Sequence, residues 1–68
     1  MLPGMFRCEA TTKEGERLTL YGHCERPRDA LQMVLECWRH DGVDVTSVKV
    51  WRGELAKGKP VLTWEKSL

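Results

Sequence analysis

The chain has little length and few compositional extremes. At 68 residues it lies near the lower limit at which one apolar core sustains a fold, so it reads as one small domain over residues 1–68. It lacks any run approaching the roughly eighteen apolar residues that a membrane span needs. Its N-terminus, Met1-Leu2-Pro3-Gly4-Met5, lacks the charged region and apolar stretch of a signal peptide. It also lacks a charge excess. Eleven Lys and Arg oppose ten Asp and Glu, leaving a net charge of +1, which argues against both the strongly basic wrappers of nucleic acid and the acidic mimics. Cys8, Cys24 and Cys37 make an odd cysteine count. Without a leader, that favours reduced thiols in a cytoplasm. Repeats, low-complexity tracts and linkers are missing too, and charge is spread evenly, with only a mildly basic C-terminal third.

What is present is globular in composition, 41% hydrophobic and 31% charged, and patterned as strands and one helix. Phe6, Cys8 and Ala10 alternate with Arg7, Glu9 and Thr11, and Leu18, Leu20 and Gly22 alternate with Thr19, Tyr21 and His23. This period of two predicts a pair of strands. The intervening turn sets their register. A loop at Glu14-Gly15 alone would put Thr11 opposite Leu18. A type I turn with Gly15 left-handed instead pairs Thr12 with Glu16, so that Ala10 faces Leu18, Cys8 faces Leu20 and Phe6 faces Gly22 on one face. Arg7 beside Tyr21 and Glu9 beside Thr19 then occupy the other.

Pro27 opens a helix, since its missing N–H costs nothing at the first position. Leu31, Val34, Leu35 and Trp38 form the amphipathic stripe, and Asp41-Gly42 ends it, with Gly42 left-handed and Val43 folding back as the hydrophobic contact. A third strand runs through Val48, Val50 and Trp51; the apolar phase slips after Val45, which places the strand's start near Thr46. A fourth runs from Val61 to Glu65. Their predicted register sets Val50 opposite Leu62, Val48 opposite Trp64 and Lys49 opposite Thr63, with Trp51 opposite Val61 on the outer face. The long connection Gly53–Lys59 exposes Leu55. The expectation is an α+β fold, β-β-α-β-β, with one helix covering one face of a four-stranded antiparallel sheet. A right-handed crossover gives the strand order 2-1-3-4.

Chemical motifs are scarce. Zinc needs four converging ligands, whereas Cys37 flanks the helical stripe, His40 points away from it, and no C-x-x-C pair exists. Cys8 and Cys37 read as small hydrophobes, so no metal or other cofactor is expected. Cys24 beside His23 is no nucleophile–base pair, because neighbouring strand residues face opposite ways. Gly53-x-x-x-x-Gly58-Lys59 matches part of a P-loop. Pro60, however, replaces the magnesium-binding hydroxyl, and a strand follows where a helix N-terminus is required. The chain reads as a non-enzyme, with no catalytic residues.

Three surfaces remain. The outer sheet face gathers Tyr21, Trp51, Val61, Arg7 and Lys49, with Arg17 nearby. These are residue types enriched at protein hot spots, and protein contact is the leading reading. Cross-strand shielding comes second. Nucleic-acid binding, with aromatics stacking bases and cations meeting phosphates, comes third, opposed by Glu9, Glu65 and the low net charge. On the helix flank, Ala30, Met33 and Cys37 extend the apolar surface, either as a wider core or as a homodimer contact. At the helix entrance, Arg26 and Arg28 stand where the helix dipole disfavours cations, an anion contact or an unoptimised surface.

The layout resembles the small β-β-α-β-β proteins of phage and prophage genomes, a group that includes anti-CRISPR-type inhibitors. The strand-turn-strand with Gly15, the helix entered at Arg26-Pro27, and the closing hairpin from Val48-Lys49-Val50-Trp51-Arg52-Gly53 to Pro60-Val61-Leu62-Thr63-Trp64 carry the likeness. It covers nearly the whole chain but includes no diagnostic motif, so no functional residue is carried over. The resemblance implies a binder that acts by occupying a host protein's surface.

Overall fold

A computed structural model describes residues 4–67; Met1-Leu2-Pro3, weighed above as a leader, lies outside the described residues. The elements are β1 (Gly4–Thr12), β2 (Arg17–Cys24), α1 (Pro27–His40), β3 (Val45–Arg52) and β4 (Leu62–Glu65). They form one antiparallel sheet in the order β2-β1-β3-β4, with α1 packed across β1, β2 and β3. The predicted architecture and strand order both hold.

The first hairpin closes as its glycine requires. Gly15 has φ +86°, the Thr12 amide donates to the Glu16 carbonyl at 2.9 Å, and the Gly15 amide donates to the Thr12 carbonyl at 2.9 Å. Phe6, Cys8 and Ala10 therefore stand opposite Gly22, Leu20 and Leu18. The Thr12 hydroxyl accepts from the Glu16 amide, which satisfies a polar group buried at the sheet end.

The phase slip ahead of Val48 has a structural cause. Ser47 pairs with Thr11 and Val45 with Thr12, so Thr46 is an extra residue, a bulge in β3. Its hydroxyl donates to the Thr11 carbonyl at 3.0 Å. The bulge lets Val45 and Val48 both reach the core despite their odd spacing, and the strand begins at Val45 rather than at Thr46. β4 is one residue shorter than expected, starting at Leu62. The register of Val50 with Leu62, Lys49 with Thr63 and Val48 with Trp64 is as predicted.

The helix ends in the motif its sequence encodes. Gly42 has φ +77°, its amide donates to the Arg39 carbonyl, and the Val43 amide donates to the Trp38 carbonyl at 2.8 Å. The buried stripe is rotated from the expected one: Ala30, Leu31, Val34 and Trp38 are buried, and Leu35 is only half-buried. The rotation follows from a close approach. A Cβ placed on Gly22 would lie 3.1 Å from the Ala30 Cβ, so the absent side chain is what lets α1 settle onto β2. The core between helix and sheet contains Phe6, Cys8, Ala10, Val48 and Val50, all essentially fully buried. The Arg52 guanidinium closes one end, 5.2 Å from the Phe6 ring centroid.

Candidate interaction surface

The sheet pairing draws one transverse row across the outer face. Arg7 is the register partner of Tyr21 on one side and of Trp51 on the other. Val61 lies just beyond, its amide donating to the Val50 carbonyl at 2.8 Å. The next row is Thr19, Glu9, Lys49 and Thr63. Strand alternation brings together Tyr21, Arg7, Trp51 and Lys49 of the predicted set; the predicted pairing of Trp51 with Val61 is not made, because Val61 precedes β4 and its amide bonds to Val50 instead.

The connection between β3 and β4 changes what this set can offer. Residues 53–61 fold back over the outer face. The Trp51 indole Nε1–H donates to the Gly58 carbonyl at 3.0 Å, and Trp51 is 9% exposed. Its ring is on the predicted face but is covered. Arg7 is also engaged. Its Nε donates to Glu9 Oε2 at 2.7 Å, and its Nη1 donates to Tyr21 Oη at 3.0 Å and to the Glu54 carbonyl at 3.2 Å. The guanidinium lies 5.8 Å from the Tyr21 ring centroid. The carboxylate of Glu9, as its strongest hydrogen-bond partner, raises the Arg7 pKa further. One side chain therefore ties β1, β2 and the loop together.

Beside that tie is a shallow hollow of about 300 Å³ lined by Met5, Arg7, Tyr21, Glu54 and Leu55. Tyr21 is 47% exposed and Leu55 67% exposed. Val61, 49% exposed, precedes β4 and lies outside the strand pairing of the row. A second, more polar hollow lies lower on the same face, lined by Glu9, Thr11, Arg17, Ser47, Lys49 and Trp51.

The other predicted residues are placed less favourably. Ala30 is fully buried beneath Gly22 and belongs to the wider core, so it cannot touch a second copy. Of the helix-flank set, Met33 and Cys37 remain exposed, on a hollow shared with Glu36, His40 and Asp41. Met33 is engaged from behind, its Sδ accepting from the Cys24 thiol at 3.0 Å. Arg26 is the helix N-cap in extended conformation and provides no side-chain cap; both Arg26 and Arg28 are exposed. Cys8 is fully buried, and burial, aided by Cys24, pushes its thiol up to about 11. It is a buried packing residue rather than an accessible thiol. Among the described residues no three His, Cys, Asp or Glu side chains converge as metal ligands.

Sequence reasoning missed two features. One is the fold-back of the loop, which has no periodicity to read; the only signals were Gly53 and Gly58, both at positive φ. The other is a cleft of about 400 Å³ under the open end of the core, where Leu35, Trp38 and Val43 face Trp64, and Lys66 bridges to Asp44 at 2.9 Å. No family model matches the chain, and no curated protein or solved structure matches it.

Proposed function

We propose that this chain is a non-enzymatic protein-interaction module that docks a partner on the outer sheet face, at the hollow where Tyr21, Arg7 and Leu55 meet. The carrying observation is the fixed Arg7. Its hydrogen bonds to Glu9, Tyr21 and the Glu54 carbonyl hold an exposed tyrosine and an exposed loop leucine on either side of one guanidinium. Apolar area, an aromatic ring and an arginine are the usual components of a binding hot spot. Ordering them in advance lowers the entropy lost on association. Val61 and Lys49 extend the patch, and Trp51 supports it from beneath the loop.

The same geometry weakens the nucleic-acid reading. Trp51 is covered and cannot stack a base, while Arg7 Nε and Nη1 are engaged within the chain. Three free thiols are in keeping with a reducing cytoplasm, and no helix among the described residues is long and apolar enough to cross a membrane. The layout resemblance to phage-type inhibitors implies a host protein as partner.

The test is capture from a cell extract with the wild-type chain, Tyr21→Ala, Leu55→Asp and, as a control on the opposite face, Met33→Asp. A partner held by the wild type and Met33→Asp but lost from the two outer-face variants is expected. Equal retention by all four would refute the site. Binding to oligonucleotides that falls steeply with added salt would favour the nucleic-acid reading instead.

A further inference from the structure

β2 is a long edge strand in which Arg17, at its start, is the one Lys, Arg, Asp or Glu. It is eight residues long and pairs with β1 in unbroken register, whereas the other edge, β4, has four residues and follows Pro60. Proteins blunt exposed edges with proline, bulges, inward charges or a covering segment; β2 has no proline, no bulge and no inward charge. The Thr12–Glu16 bond fixes which groups are open. By alternation, Leu18, Leu20 and Gly22 direct their N–H and C=O groups to β1, and Arg17, Thr19 and Tyr21 direct theirs to solvent. Below this edge Leu18 and Leu20 are only half-buried against the core, because α1 settles over the Gly22 end of the strand.

The sequence of that edge is complementary to itself. Around Thr19 it reads Arg17-Leu18-Thr19-Leu20-Tyr21. We propose that two copies of this chain pair β2 against β2, antiparallel about a two-fold axis at Thr19, to make a continuous eight-stranded sheet. In that register Thr19 meets Thr19. Leu18 meets Leu20 of the second copy, twice, on the helix side of the sheet, covering the leucines that α1 leaves open. Arg17 meets Tyr21 of the second copy, twice, on the outer face, a cation against an aromatic ring with no like charges opposed. An isologous interface demands this kind of self-complementarity. A different partner's strand would satisfy the open N–H and C=O groups equally well, but nothing in its sequence need match the symmetric Leu-Thr-Leu pattern. The inference rests on the edge alone and stands whether or not the outer face docks another protein.

Sedimentation equilibrium over roughly 10 µM to 500 µM chain tests it, on the wild type and on Thr19→Pro. Proline at Thr19 removes only an N–H that points off the edge, so the bonds to β1 survive. A wild-type dimer is expected, with association weakened at least about tenfold in Thr19→Pro. A wild-type monomer throughout, or a dimer unaffected by the proline, overturns the proposal. Amide exchange on the wild type keeps the test open should the variant not fold. The Thr19 and Tyr21 amides are expected to slow as concentration rises, and free exchange at every concentration overturns the proposal.

Discussion

Replacing Gly22 by alanine tests how α1 is seated. Gly22 does not have the positive φ that would favour glycine, so the substitution adds one methyl group and no backbone strain. That methyl would meet the Ala30 Cβ at 3.1 Å and the Ala30 Cα at 3.4 Å, against an optimal carbon–carbon separation of about 3.5–4.0 Å. Ala30 cannot turn aside, since its Cβ is rigidly attached to the helix, so the N-terminal half of α1 must lift by roughly half an ångström. Overpacking of this kind costs about 1–3 kcal/mol. Restricting the unfolded chain returns about 0.4–1 kcal/mol. The expected net destabilisation is about 1 kcal/mol, or about 4–8 °C in Tm for a domain of this size. Urea unfolding followed by tryptophan fluorescence measures it, with an unchanged m-value. The decisive comparison is the cycle with Ala30→Gly. The single change costs about 1 kcal/mol in helix propensity, but in the double variant the clash is gone, so the two losses fall short of adding by about 1 kcal/mol. Additivity within about 0.3–0.5 kcal/mol, or a stabilised Gly22→Ala, would refute the close-approach argument.

Other consequences can be checked alongside. Trp51→Phe removes the bond to the Gly58 carbonyl and is expected to cost about 0.5–1.5 kcal/mol, with faster amide exchange across residues 53–60. Gly58→Ala meets no atom within 4 Å yet keeps φ +75°, so chemical denaturation should show a loss of about 1–2 kcal/mol from backbone strain alone. Native-state thiol labelling read by mass spectrometry should modify the exposed Cys37 first; Cys8, buried and with its thiol pushed up to about 11, should react only on unfolding. The Lys66 ammonium holds the Asp44 carboxyl below its ordinary range. The pair's contribution is therefore present above the unfolded carboxyl pKa and fades as pH falls below about 4. Thermal melts of Asp44→Asn should show a correspondingly shallower loss over that interval.

Most of the architecture was legible because two periods and a few glycines specify it. Alternation in Phe6–Ala10 and Leu18–Gly22, with Gly15 to fix the turn, determined the first hairpin register. Val48 and Val50 against Leu62 and Trp64 determined the second. The bulge was visible only as a slip in phase, since Thr46 is ordinary in composition and its role depends on the Thr11 carbonyl across the sheet. The helix rotation toward Ala30 was hidden for a similar reason. It depends on Gly22 in another element, which a helical wheel does not include.

The candidate site was half legible. Register alone brought Tyr21, Arg7 and Trp51 into one row. Beyond the turn glycines Gly53 and Gly58, nothing in residues 53–60 announced that the loop would fold over that row, cover Trp51 and supply Leu55 to the hollow. A loop's position is set by a few tertiary hydrogen bonds, here from Trp51 and Arg7, and such bonds leave no periodic trace. Ala30 shows the converse: the wheel left it between a wider core and a homodimer contact, and the sheet buries it in the core.

The central claim, a docking surface at the outer-face hollow, is tested most directly by a photo-crosslinking side chain placed at Leu55 and, in a parallel protein, at Met33, both exposed. Irradiated in its native cellular setting, the protein labelled at position 55 is expected to form a discrete adduct with one partner, and that adduct should disappear with Tyr21→Ala. An adduct at position 33 with none at position 55, or an adduct at 55 unaffected by Tyr21→Ala, would contradict the account.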